Sequence, residues 1–122
     1  MNEIEVAVGQ LDELSDPGCR EFEIGEGDWP LRGFVVREGD SVFAYENICA
    51  HVGHPLNWMP DAFLTKDRTA IMCASHGATF EIDTGLCFAG PCIGKSLRAV
   101  KIAVREGTVY VRGQALRQTI KS

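Results

Sequence analysis

Two short stretches, NICAHVGHPL at 47–56 and IMCASHGATF at 71–80, each join one cysteine to one histidine. The first reads Cys49-x-His51 and the second Cys73-x-x-His76, with twenty-one residues between His51 and Cys73. A thiol and an imidazole from each of two separate loops can hold zinc or iron. No other feature constrains the fold as much, because the scaffold must carry two distant loops and fix them side by side. Zinc fingers place a cysteine pair first and a histidine pair second. Here each loop supplies one of each, an order that suits two adjacent metal ions, the thiolates on one and the imidazoles on the other.

The rest of the chain reads as the scaffold for such loops. Apolar residues alternate with period two at Ile4, Val6 and Val8, at Phe22 and Ile24, and at Phe34 and Val36. The same alternation recurs at Val42 and Ala44, at Val100, Ile102 and Val104, and at Val109 and Val111. It predicts half-buried antiparallel strands. Asp16-Pro17-Gly18, Glu38-Gly39-Asp40 and Glu106-Gly107 supply turn chemistry between them. VREGDSVF and VREGTVYV are two independent hairpins, since nothing else repeats at a fixed period. The only candidate helical turn is near 59–64. Residues from about 47 to 94 contain both Cys/His pairs and three of the five prolines but little clean alternation. They are expected to be a loop-rich insertion carried on the sheets, where binding chemistry usually sits. The last residues, GQALRQTIKS, are expected to be a frayed tail.

Composition narrows the class. The 122 residues fit one domain, 1–122, with one core. The formal charge of −5 argues against nucleic acid as a partner, because phosphate binding needs a basic footprint, and favours a protein partner with a basic patch. No apolar run is long enough for a spanning helix, so no membrane association is expected. The acidic start MNEIEVAVGQ lacks the basic and apolar regions of a secretory signal, which makes the cytoplasm the expected location. Five cysteines, an odd number, in a reducing compartment favour metal binding over a disulfide framework.

The ligand order matches the [2Fe–2S] centre in which two histidines replace two cysteines on one iron. With CAHVGHPL, CASHGATFEIDTG and GPCIGKSL in sequence and flanked by strands, the chain resembles the Rieske family, specifically its soluble ferredoxins. The resemblance implies an all-β Rieske fold, an antiparallel sandwich or barrel with an inserted cluster-binding subdomain. It implies one Rieske-type [2Fe–2S] cluster, with Cys49 and Cys73 on the inner iron and His51 and His76 on the outer one. It implies electron transfer, without catalysis by the chain itself, between a flavin-dependent reductase and an oxygenase or other oxidoreductase. GPC at 90–92 matches the family's proline-containing loop over the cluster. Alternatives are a dedicated small subunit of a fixed, nitrite-reductase-like complex, a structural zinc domain, and a redox sensor using the cluster or Cys87 and Cys92. A complete Rieske oxygenase needs a further iron held by a histidine pair, and only His54 remains for it.

Departures from the family pattern sharpen the expectation. High-potential respiratory members carry a disulfide between the cluster loops; the matching positions here are His54 and Ser75. Those members also place Ser and Tyr hydroxyls near the cluster, where this chain has Ala78 and Phe80, whose side chains cannot donate. Fewer donors stabilise the reduced cluster less, so the expected potential is roughly −150 to 0 mV, the low end of the Rieske range. The long interval before Cys73 is expected to extend the hairpin leading into it, with Lys66 and Asp67 near its tip. Gly53 and Gly77 are expected to let backbone approach the cluster, and Gly85 to serve a plain turn. Cys87 and Cys92 are expected to be two semi-buried thiols and Cys19 a residue without chemistry. Trp29 and Trp58 are expected to pack, His54 to be an ordinary surface residue, and Asp61 and Asp67 to be solvated loop charges.

Overall fold

The computed structural model describes residues 4–25, 31–48, 56, 63–74 and 77–113. Its strands are β1 (Ile4–Gln10), β2 (Gly18–Ile24), β3 (Leu31–Glu38), β4 (Ser41–Glu46), β5 (Ile71–Met72), β6 (Thr79–Phe80), β7 (Cys87–Ala89), β8 (Lys101–Arg105) and β9 (Thr108–Gly113). One short 3-10 helix, Leu11–Glu13, follows β1. The two VREG segments each make a two-residue turn, pairing Glu38 with Ser41 and Arg105 with Thr108. Glu106 and Gly107 both have positive φ, the combination that matches the twist of a tight hairpin. The hairpins belong to different sheets.

Three antiparallel three-stranded sheets result, in the orders β1-β9-β8, β2-β3-β4 and β5-β6-β7. The first two face each other across a core containing Phe22, Ile24, Val35, Ala44, Val109 and Val111. The second sheet has another core on its opposite face. There Phe34, Val36 and Tyr45 meet Leu56, Phe63, Ile71, Phe80 and Leu97. The period-two pattern predicts strands with one wet face, and for β3 and β4 that is corrected. Phe34, Val35 and Val36 are all fully buried, and Ala44 and Tyr45 are buried too, because a strand between two cores is covered on both sides. The stripe in β8 also runs out: Val104 is 45% exposed near the hairpin end.

The third sheet lies wholly within 47–94 and is fastened to the scaffold at one stem. Tyr45 and Ala99 form an antiparallel bridge, and the Glu46 N–H donates to the Arg98 carbonyl at 2.8 Å. The chain entering the loops and the chain leaving them therefore run side by side. Packing adds to the stem. The rings of Phe34 and Phe63 stack with centroids 4.1 Å apart, worth about 0.5–1.5 kcal/mol beyond the area they bury. The Tyr45 hydroxyl donates to the Ile82 carbonyl at 2.7 Å. Burial, with a smaller contribution from the Asp83 carboxylate, pushes the Tyr45 phenol up to about 12.

The long interval before Cys73 does form a hairpin. Leu64 bridges Ile71, the Thr65 N–H donates to the Ala70 carbonyl, and Lys66 and Asp67 sit in the turn. The helical turn expected near 59–64 falls mostly outside the described residues, and Leu64, which is described, is in this bridge. Asp67 is more than a solvated charge. Its carboxylate accepts from the Thr65 and Thr69 hydroxyls and the Thr69 N–H, and those bonds hold it below the usual carboxylate range. Gly85 closes the turn after β6 with φ +75, and a Cβ there would lie 2.8 Å from the Tyr45 ring. Close packing, beyond turn chemistry, thus demands glycine there. The expected tail loses its first residue to β9, where Gly113 pairs with Ile4; 114–122, and Trp29, Trp58, Gly53, His54, Ser75 and Asp61, lie outside the described residues. No helix among the described residues is long and apolar enough to cross a membrane.

Candidate metal centre

Of the four expected ligands, Cys73 is described; Cys49, His51 and His76 lie outside the described residues. Cys73 follows β5 and is fully buried, in an apolar bed that includes Phe34, Leu56, Phe63 and Phe80. A thiolate in such a place needs a compensating cation, which an iron would supply. Among the described residues no three His, Cys, Asp or Glu side chains form a metal-binding group.

The described residues around the ligand loops are tied closely together. The Cys73 N–H donates to the Ala78 carbonyl at 2.8 Å, and the Gly77 N–H donates to the Cys73 carbonyl at 3.0 Å. These two bonds close the 73–78 loop, with Gly77 at φ +75. A Cβ on Gly77 would meet no neighbouring heavy atom within 4 Å, so its backbone conformation is what requires glycine. The 47–56 loop is closed differently. Asn47, a buried polar residue, accepts the Leu56 N–H at 2.7 Å through Oδ1. The Leu56 carbonyl in turn accepts the Ala74 N–H at 2.8 Å. One chain of bonds therefore runs from the end of β4, across the base of the first Cys/His loop, into the base of the second. Asn47 was not among the residues singled out by sequence reasoning. Its signal was an amide at the end of a strand, two residues before Cys49.

The proline-containing loop meets the same structure from the other side. Gly90 has φ +97, and a Cβ there would lie 2.8 Å from the Ala78 Cα and 3.1 Å from its nitrogen. The backbone at Gly90 therefore lies directly on the end of the 73–78 loop. Ala78 and Phe80 are fully buried. Behind the loop, Cys87 and Cys92 are both buried, with their sulfurs 3.3 Å apart and no disulfide between them. They are more deeply enclosed than the semi-buried thiols the sequence predicts.

These residues fit a buried thiolate-ligated centre: an apolar bed around Cys73, a closed 73–78 loop, and two Cys/His loops bonded at their bases. Comparison with known proteins agrees. The model of the Rieske [2Fe-2S] domain matches residues 5–111. The chain is 35% identical over 80 residues to ferredoxin CarAc of Metapseudomonas resinovorans, covering 66% of this chain and 69% of that one. It superposes on the ferredoxin of carbazole 1,9a-dioxygenase from Nocardioides aromaticivorans IC177 with a TM-score of 0.69 and 29% identity, over 88% of this chain and 95% of that one. A structure described as a complex of reduced oxygenase and oxidized ferredoxin in carbazole 1,9a-dioxygenase contains a chain 29% identical, with a TM-score of 0.69 over 93% of this chain and 97% of that one. The match across nearly all the strands, together with the two bonded Cys/His loops, leads to one conclusion: the chain belongs to the Rieske [2Fe–2S] domain family, and its cofactor is one Rieske-type [2Fe–2S] cluster.

Proposed function

We propose that this protein is a Rieske ferredoxin that carries one electron at a time from a flavin-dependent reductase to an oxygenase or other oxidoreductase, and that it is not catalytic on its own. In this reading Cys49 and Cys73 hold one iron and His51 and His76 the other. The whole chain forms one domain, with a cluster-binding subdomain at about 47–94. The observation that carries the ligand assignment is the bond from the Ala74 N–H to the Leu56 carbonyl, which fastens the base of one Cys/His loop to the base of the other. The bound cluster supplies one-electron chemistry, and neutral imidazoles on one iron make it easier to reduce than an all-thiolate cluster.

The chain's own residues have three tasks. Cys73, fully buried, presents a thiolate away from water. Asn47 and Leu56 tie the two ends of the first loop together. Gly90, at the start of the proline-containing loop, lies against the Gly77–Ala78 end of the second loop and covers it on that side. An acidic chain of formal charge −5 suits partners that present basic patches. The solved oxygenase–ferredoxin complex of the carbazole system supports an oxygenase as acceptor. A cytoplasmic location suits the reading, because cluster thiolates must escape disulfide formation.

Electron paramagnetic resonance of the dithionite-reduced protein, with iron and sulfide analysis, tests the centre. A Rieske-type signal with equal iron and sulfide is expected; zinc, or a colourless protein without sulfide, overturns the reading. Stopped-flow mixing of the reduced protein with an oxidised Rieske oxygenase then tests the carrier role. Reoxidation on the time scale of turnover is expected, and co-purification at fixed stoichiometry with one enzyme would instead make it a dedicated subunit.

A further inference from the structure

Cys87 and Cys92 are not cluster ligands in the reading above, yet they form a close sulfur pair. Their Sγ atoms are 3.3 Å apart, Cys92 donating to Cys87, and the Cys87 thiol donates to the Ala89 carbonyl at 3.2 Å. The backbone around them is fixed. The Cys87 N–H donates to the Lys95 carbonyl, the Gly94 N–H to the Cys87 carbonyl, and the Lys95 N–H to the Cys92 carbonyl. The two sulfurs thus face each other across the inside of a small closed loop. A disulfide has a length of about 2.05 Å, so the sulfurs must approach by only about 1.2 Å from their present 3.3 Å. Four residues lie between the cysteines. Such a short ring restrains little of the unfolded chain, so the bond would contribute modestly to global stability and act locally.

We propose that Cys87 and Cys92 are a reversible thiol–disulfide site that resets the loop lying over the cluster. The oxidant is a peroxide. Cys92 is the sulfur that reacts first: it is itself buried, but it lies just beneath the surface between two exposed residues, Pro91 and Ile93, the latter 67% exposed. The Cys92 sulfur attacks hydrogen peroxide. The O–O bond breaks, an S–O bond forms, and Cys92 becomes a sulfenic acid with release of one water. The Cys87 sulfur then attacks that sulfenic sulfur. The S–S bond forms, the S–O bond breaks, and the hydroxyl leaves as a second water with the Cys87 proton. Two thiols are oxidised and one peroxide is reduced to two waters. A dithiol reductant reverses the reaction by exchange.

The consequence follows from Gly90, which lies between the two cysteines. Its backbone already touches Ala78, so the loop has no slack on that side. Drawing Cys92 toward Cys87 strains the four-residue segment that carries Gly90, and that segment sits against the Gly77–Ala78 end of the second Cys/His loop. This coupling rests on the ligand assignment under Proposed function, whereas the thiol chemistry does not.

The test uses purified holoprotein, titrated anaerobically with hydrogen peroxide, quenched with iodoacetamide after unfolding, and digested with trypsin. The tryptic peptide 69–95 contains Cys73, Cys87 and Cys92. Expected is the loss of two of its three alkylatable thiols, a mass 2 Da below that of the unlabelled dithiol at those positions, and full recovery with dithiothreitol. The visible absorption of the cluster should persist at half-oxidation of the pair, and the electron paramagnetic resonance line shape should change with it. Cys87→Ala and Cys92→Ala should each abolish both effects; if either variant does not fold, the wild-type mapping still decides. Three thiols remaining alkylatable, irreversible oxidation of Cys92, or cross-links to Cys73 or Cys19 would each overturn the site. Cluster loss before the pair oxidises, or an unchanged spectrum with the disulfide formed, would overturn the coupling. A protein without iron or sulfide would overturn the functional reading while leaving the thiol mapping intact.

Discussion

Replacing Gly90 with alanine tests whether the proline-containing loop is seated on the ligand loop. Two separate costs are expected. At φ +97 an L side chain is strained by about 1–2 kcal/mol. The new Cβ would also lie 2.8 Å from the Ala78 Cα and 3.1 Å from its nitrogen. Those are backbone atoms of a loop closed by hydrogen bonds, so they cannot swing aside, and such overpacking costs about 1–3 kcal/mol. The sum is about 2–5 kcal/mol, a large share of a domain stability of about 5–15 kcal/mol. Gly94 is the internal control. Its φ is +94, but a Cβ there would meet nothing within 4 Å, so Gly94→Ala should cost the strain alone. Urea unfolding of the two variants isolates the steric part. Gly90→Ala should lower the midpoint by roughly 1–2 M, the slope being about 1–3 kcal/mol per M. Gly94→Ala should lower it by clearly less. In holoprotein Gly90→Ala should also perturb the electron paramagnetic resonance line shape, and Gly94→Ala should not. Equal midpoints for the two variants would refute the contact, and with it the route by which Cys87 and Cys92 reach the cluster loop.

Asn47→Ala should leave the Leu56 N–H without its buried acceptor, costing about 1–3 kcal/mol, and should speed loss of cluster colour in the presence of a chelator. Ala78→Ser and Phe80→Tyr restore hydroxyl donors, and each should raise the midpoint potential from the low end toward the middle of the family range of roughly −150 to +300 mV, as read by voltammetry. A wild-type value well above about +100 mV would sink that argument. Tyr45 predicts alkaline behaviour. Its folded phenol is pushed up to about 12 while the unfolded group titrates near 10, so the folded state holds the proton more tightly. That stabilisation is complete below about pH 10 and is lost as pH rises toward about 12, up to roughly 2–3 kcal/mol. Unfolding midpoints measured across that window should fall in the wild type and flatten in Tyr45→Phe, which should itself cost about 1 kcal/mol at neutral pH.

Much of the scaffold was legible because its signals are local. Glu106-Gly107 and Gly39-Asp40 mark two hairpins, since a two-residue turn admits few backbone conformations and glycine satisfies them. Lys66 and Asp67 sit in the turn of the hairpin before Cys73, a four-residue turn between Thr65 and Ala70 held by the Asp67 carboxylate, with no glycine in it. Burial was legible only where a strand has one wet face. β3 reads as alternating, yet Val35 belongs to one core and Phe34 and Val36 to another. An apolar residue on the supposed outer face gives no sign of which neighbour covers it. Gly85 shows the same limit: its turn is local, but the Tyr45 ring against it comes from forty residues away.

The ligand pattern belongs to the sequence, because ligand chemistry is written in residue type, order and spacing. One thiol and one imidazole per loop, with C-x-H before C-x-x-H, indicate a two-iron centre without coordinates. How the loops are held is a property of the fold. The Asn47 amide on Leu56, the Leu56 carbonyl on Ala74, and Gly90 against Ala78 join residues nine, eighteen and twelve positions apart, with no periodicity to mark them. The 3.3 Å between Cys87 and Cys92 is of the same kind. Two cysteines five positions apart face each other only when a closed loop turns both side chains inward, and it is the backbone bonds from Cys87 to Gly94 and Lys95 that close it.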